Sequence, residues 1–120
     1  MVDRLHHVTI PVSDLHRAVR FYGEVLDLTF VTSEDETPPE TDEYRWLKAD
    51  GAYLRLALDP ERAGRPGGIR LSFAAPEVSR TDIAARLDDE GIEVDRTGTG
   101  SYFVDPDGNR LAIVEPGIPE

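Results

Sequence analysis

Twice along its length the chain runs through the same order of elements, a strand, a helix and three further strands. That internal duplication limits the fold more than any single motif does. In the first copy, Leu5 to Val12 alternates and is rich in β-branched residues, which predicts a strand with Val8, Ile10 and Val12 on one face and His7, Thr9 and Pro11 on the other. Ser13 or Asp14 caps a helix in which Leu15, Ala18, Val19, Tyr22, Val25 and Leu26 form one apolar stripe of about three turns. Leu28 to Thr32 is predicted as a strand, and Tyr44 to Ala49 and Ala52 to Leu58 as a hairpin around Asp50-Gly51. In the second copy, Ile69 to Ala75 is the opening strand. Ser79 and Asp82 have capping-box spacing, ahead of a helix that runs through Ile83 and Leu87 and stops at Gly91. Ile92 to Arg96, Ser101 to Val104 and Arg110 to Glu115 complete that copy. Each copy holds roughly 55 residues, too few for a stable core of its own, so the copies are expected to pair within a chain or across a dimer.

Composition narrows the partners. A chain of 120 residues suffices for one domain, and its 13 basic against 24 acidic side chains give a net charge of -11. That charge disfavours nucleic acid and anionic membranes, both of which call for a basic surface. The absence of cysteine excludes disulfides, thiolate nucleophiles and cysteine-type zinc sites. No apolar run approaches the roughly 20 residues of a membrane span, and Met1-Val2-Asp3 does not open a signal peptide, so a cytoplasmic protein is expected. Twelve of the basic residues are Arg and Lys48 is the single Lys, a pattern that fits either a salt-adapted surface or Arg-biased coding. Six acids and Pro38-Pro39 between Glu34 and Glu43 predict a solvated, mobile loop, and Asp59 to Gly68 a linker.

Three stretches carry a family resemblance: His7-Val8-Thr9-Ile10-Pro11-Val12-Ser13-Asp14-Leu15, Arg20-Phe21-Tyr22-Gly23-Glu24-Val25-Leu26, and Tyr102-Phe103-Val104-Asp105-Pro106-Asp107-Gly108-Asn109. Together with the duplication they make the chain resemble the vicinal oxygen chelate (VOC) superfamily, which includes glyoxalase I, extradiol dioxygenases, and fosfomycin- and bleomycin-resistance proteins. The resemblance implies an α+β fold. Two tandem βαβββ modules, about residues 1–58 and 69–116 joined by a linker over 59–68, would form a curved mixed-sheet cup with helices outside, often in a homodimer. It also implies a divalent metal held by His or Gln on the first strand, Glu on the fourth, His on the fifth and Glu on the eighth, with positions left open for substrate oxygens. Those positions fall on His7, Arg55, Arg70 and Ala112. One ligand of four remains, and two have become permanent cations, so no metal site is expected. Glu115 lies three residues beyond Ala112, where strand alternation turns it to the opposite face.

Strand parity then predicts what such a cup would present. His7, Thr9 and Pro11 share a face with Tyr53, Arg55 and Ala57 of the hairpin; the second copy adds Arg70, Ser72 and Ala74, then Arg110, Ala112 and Val114. Trp46, Tyr53 and Tyr102 supply aromatic surface, whereas Phe73 belongs to the core side. Three arginines and a histidine with no strand carboxylate predict a counter-charge from outside, a carboxylate or phosphate that a planar guanidinium grips with two bonds. Each arginine is equally able to lie in solvent or pair across strands. His7 is the candidate proton carrier. His6 is expected to face the helix layer or sheet edge, His16 an exposed helix flank, and Asp105 to Asn109 to be a turn built for backbone geometry. Three functions remain open. The first is a metal-independent binder of a small anion. The second is a glyoxalase-like lyase or isomerase, or a dioxygenase, with an altered or displaced metal site using His7. The third is a noncatalytic partner subunit or sensor domain.

Overall fold

A computed structural model of the chain describes residues 1–65 and 70–117. It divides into two compact units, Met1–Ala63 and Gly64–Glu120. The first contains β1 (His7–Val12), α1 (Leu15–Arg20), a π-helical turn (Phe21–Val25), β2 (Thr29–Phe30), β3 (Tyr44–Ala49) and β4 (Ala52–Leu58). The second contains β5 (Leu71–Ala74), α2 (Glu77–Asp89), β6 (Asp95–Arg96), β7 (Gly100–Val104) and β8 (Arg110–Val114). Each sheet has four strands, in the orders β1-β4-β3-β2 and β5-β8-β7-β6. In both, the first strand runs parallel to the last and the remaining pairs are antiparallel. These are tandem βαβββ units in an α+β fold. Ile69 and the Gly67-Gly68 pair lie outside the described residues.

In the first unit the apolar side of the sheet is covered by helix. Asp14 caps α1, its carboxylate accepting from the Arg17 amide at 3.0 Å. The stripe then buries Leu15, Ala18, Phe21, Tyr22 and Val25, while Ile10, Val12, Leu47, Leu54 and Leu56 are buried on the strands. The stripe does not stay α-helical. The Leu26 amide reaches the Phe21 carbonyl at 3.1 Å, five residues back, which widens the last turn. Gly23 lies in that turn, and a Cβ there would stand 2.6 Å from the Phe30 ring. The second predicted strand shrinks to two residues, and the hairpin forms where Asp50-Gly51 placed it, with Asp50 at φ 52° and Ala49 opposite Ala52.

In the second unit α2 buries Ile83, Ala84 and Leu87, and the strands bury Phe103, Leu111 and Ile113. The expected capping box is overturned: the helix opens at Pro76, whose carbonyl accepts from the Arg80 amide at 2.9 Å, and Ser79 sits inside the first turn. Pro76 is extended and has no N–H to satisfy, so it starts the helix three residues early. The C-terminus ends as the glycine predicted, with Gly91 at φ 73° and the Ile92 amide returning to the Leu87 carbonyl at 2.9 Å.

Candidate functional site

Pairing in the first sheet fixes which side chains share the face away from α1. His7 lies beside Tyr53 and Thr9 beside Arg55 across β1 and β4; Trp46 faces Arg55 and Lys48 faces Tyr53 across β3 and β4. The Arg55 Nε donates to the Thr9 hydroxyl at 3.0 Å. Its guanidinium carbon stands 4.6 Å from the Tyr44 ring centroid and 5.8 Å from that of Trp46. Stacking and one hydrogen bond therefore hold the plane of the fork, while its terminal nitrogens take no acceptor among the described residues. Trp46, expected to meet ligand, is only 3% exposed. It acts as a floor, with the His7 ring 5.1 Å from it in an edge arrangement.

His6 is found on this same face, not toward the helix layer or the edge. Its position just before β1 frees it from strand alternation, and its ring packs 5.2 Å from Tyr53 and 5.1 Å from His7. His6 Nδ1 and His7 Nδ1 are 2.8 Å apart, and His6 Nε2 lies 3.1 Å from the Glu36 carbonyl. Burial, the neighbouring imidazole and the Arg55 charge, in that order, lower the His7 pKa below its ordinary 6.5. His16 is exposed on its helix.

The acidic segment is fastened at several points, chiefly Asp35 and Glu36, instead of being solvated throughout. Asp35 accepts from Lys48 Nζ at 2.8 and 3.1 Å, from the Tyr53 hydroxyl at 3.0 Å and from the Thr32 amide at 2.7 Å. Above all the Lys48 bond, then the Thr32 amide, hold its carboxyl down at about 2. The Tyr53 hydroxyl also accepts from the Glu36 amide at 3.3 Å, so its oxygen serves the loop. The face that has no acid on its strands thus receives one from a loop.

In the second unit Ser72 lies beside Ala112, and Ala112 beside Tyr102. Ser72 is exposed and Ala112 fully buried. Arg70 is exposed immediately before β5, and its guanidinium carbon is 4.6 Å from the Tyr102 ring centroid. Arg110 is exposed where β8 begins, opposite Val104. Glu115 lies just past β8 and is exposed. The turn from Asp105 to Asn109 is geometric, as expected: the buried Asp105 carboxylate accepts from the Asp107 and Asn109 amides at 2.9 and 2.8 Å and from Asn109 Nδ2 at 2.8 Å.

The structure thus gathers His7, Trp46, Tyr53 and Arg55 in the first unit, and Arg70, Tyr102 and Ser72 on one face of the second. Sequence reasoning turned His6 elsewhere and passed over Asp35, Tyr44 and Lys48 as site residues. Hairpin register around Asp50-Gly51 would have put Tyr44 and Lys48 beside Trp46 on that face. No local signal marks Asp35, one of six acids in its segment.

Known proteins agree with this architecture. Residues 4–113 match the model of the Glyoxalase/Bleomycin resistance protein/Dioxygenase superfamily. A glutathione transferase, FosA, from Serratia marcescens is 26% identical, the match covering 94% of this chain and 81% of that protein. A virulence protein from Salmonella typhimurium is 30% identical over 94% of this chain and 84% of its own. Among solved structures, TnmS3, an antibiotic binding protein from a Streptomyces species, superposes with a TM-score of 0.68 at 28% identity, covering 97% of this chain and 98% of that one. With its duplicated βαβββ order and a match over almost all its residues, the chain belongs to the glyoxalase/bleomycin resistance protein/dioxygenase superfamily, the VOC proteins that its motifs resemble.

Proposed function

We propose that the protein binds a small anionic molecule, a carboxylate or a phosphate, without a metal ion. The observation that carries this reading is the pair of arginines at two of the four superfamily ligand positions, each stacked over an aromatic ring of its own unit. Arg55 offers two terminal nitrogens that take no acceptor among the described residues, from a fork already ordered by Thr9 and Tyr44, so little side-chain entropy is lost when an anion arrives. Arg70 over Tyr102 supplies the same chemistry in the second unit. Ser72, Arg110 and Tyr53 are further contacts in this reading, with Trp46 beneath.

The donor set does not fit a divalent ion. A guanidinium has no lone pair to give and carries a charge that repels the metal, and the methyl of Ala112 gives nothing. Likeness to an antibiotic binding protein supports a binding role, and the net charge of -11 leaves nucleic acid and anionic membrane as poor partners. A cytoplasmic homodimer is part of the same proposal.

A second reading, a glyoxalase-like lyase or isomerase or a dioxygenase, is favoured by the lowered pKa of His7, which keeps that ring available as a base, and by the likeness to a transferase. Two measurements separate the readings. A thermal-shift panel of carboxylates and phosphates should raise the melting temperature of the wild-type chain, and Arg55→Ala or Arg70→Ala should abolish most of that rise. Rises that survive both substitutions would end the anion reading. Elemental analysis of protein purified without chelator, followed by additions of Ni, Zn, Mn and Fe, should find no stoichiometric ion. An ion lost in His7→Ala would favour the enzyme.

A further inference from the structure

We infer that His6 is a positioning residue that locks the tautomer of His7, so that the site selects anions carrying a hydroxyl beside the charged group. The inference deepens the anion-binding reading and rests on it for the ligand, but not for the tautomer. The chain of hydrogen bonds dictates the protons. The Glu36 carbonyl, 3.1 Å from His6 Nε2, can only accept, so His6 Nε2 carries the N–H. A neutral imidazole has one N–H, which leaves His6 Nδ1 as a lone pair. His7 Nδ1, 2.8 Å away, must then donate to it. The one proton of His7 is spent on that bond, and His7 Nε2 is left as an acceptor that nothing engages among the described residues.

The neighbours of this pair reinforce the arrangement. Trp46 packs edge-on against His7 and Tyr53 against His6, which holds both rings in place. The charged groups around them are Arg55 on β4, Lys48 on β3 with Asp35 bound to it, and Arg4 paired with Glu36 at 2.7 Å. Arg55 is anchored to Thr9, two residues along β1 from His7, a separation of about 7 Å between backbone positions. A donor-only fork and an acceptor-only nitrogen therefore lie on one face, the fork anchored two strand positions from the imidazole and close enough for its charge to act on it. A 2-hydroxy acid satisfies both, its carboxylate accepting from Arg55 and its hydroxyl donating to His7 Nε2. The matching acid without the hydroxyl leaves the nitrogen unmet.

The first test is nitrogen-detected NMR of the full chain at a pH about 1.5 units above the ordinary imidazole value. His7 should show a pyrrole-type Nδ1 and a pyridine-type Nε2. His6→Asn, whose amide oxygen stands in for the lost acceptor, should keep that signature, and His6→Phe should release His7 into a mixture of tautomers. An Nε2–H tautomer in the wild type, or no change in His6→Phe, overturns the lock. The second test titrates mandelate and phenylacetate into each protein. Wild type and His6→Asn should bind mandelate about fivefold more tightly, the worth of one net hydrogen bond, and His6→Phe should lose the preference. Equal binding of the two acids by wild type overturns the ligand class. Binding of neither overturns the ligand class, while the thermal-shift panel of carboxylates and phosphates judges the anion site and the NMR result judges the lock.

Discussion

The two units pair their strands alike yet present different faces. Thr9–Arg55–Trp46 across β1, β4 and β3 corresponds in register to Ser72–Ala112–Tyr102 across β5, β8 and β7, and His7 to Arg70 two residues earlier. In the first unit those places hold imidazole, hydroxyl, guanidinium and indole, and residues 31–43 are tied beside them through Asp35 and Glu36. In the second they hold an arginine stacked on a tyrosine, one hydroxyl and one methyl, and only residues 97–99 join β6 to β7, folded tightly by the Thr97 amide on the Gly100 carbonyl at 2.9 Å. A backbone ladder needs only alternation and buried apolar residues on one side, so a unit can exchange every side chain on its open face and keep its topology. The first unit gathers more polar groups on its open face, and the second contributes one stacked arginine with Ser72 and Tyr102.

That contrast can be broken at several points. The largest effects should come from what the units share. Leu56→Ala in the first and Leu111→Ala in the second each remove a side chain at most 1% exposed, and each should cost about 2–5 kcal/mol by denaturant unfolding. A loss under about 1 kcal/mol in one of them would mean that its unit lacks a tight core. Next in size is Asp105→Ala, which strands two amides and the Asn109 side chain. It should cost about 2–3 kcal/mol and leave the His6 and His7 resonances of the first unit in place. Movement of those resonances would show that the second unit is not separable from the site.

Smaller effects belong to the first unit alone. Asp35 has its folded pKa at about 2 against an ordinary 3.8, so its bonds to Lys48, Thr32 and Tyr53 stabilise the fold fully above 3.8 and are lost as pH falls through about 2. Asp35→Asn should flatten acid unfolding in that window and speed amide exchange across residues 32–36; unchanged exchange would refute the fastening. The smallest effect is at His7. Its folded pKa lies below 6.5, so the unfolded chain takes up its proton first. The stabilising contribution is complete above 6.5 and is lost as pH falls through the folded value. An NMR titration should place His7 below 6.5; a His7 value at or above 6.5 would contradict its packing against Trp46.

Local rules made much of the architecture legible. Alternation from Val8 to Val12, the Asp50-Gly51 hairpin and the Gly91 stop depend on neighbours a few residues away, and each is where the sequence placed it. The helix start at Pro76 and the π-helical turn were missed for physical reasons. The spacing of Ser79 and Asp82 suits a cap but also occurs inside a first turn, and a stripe of three-and-four spacing cannot distinguish a last turn that widens by one residue.

The site divides in the same way. By itself the sequence determined the βαβββ duplication and the face on which His7 and Arg55 lie, because strand parity is a property of consecutive residues. Tertiary structure alone decided that Asp35 reaches Lys48 and Tyr53, that Arg55 lies on Tyr44, and that His6 turns in to meet His7. Those contacts join a loop or a strand end to a sheet more than ten residues away or sit where alternation has not yet begun. Their geometry is set by how the chain closes on itself, which no window of sequence contains.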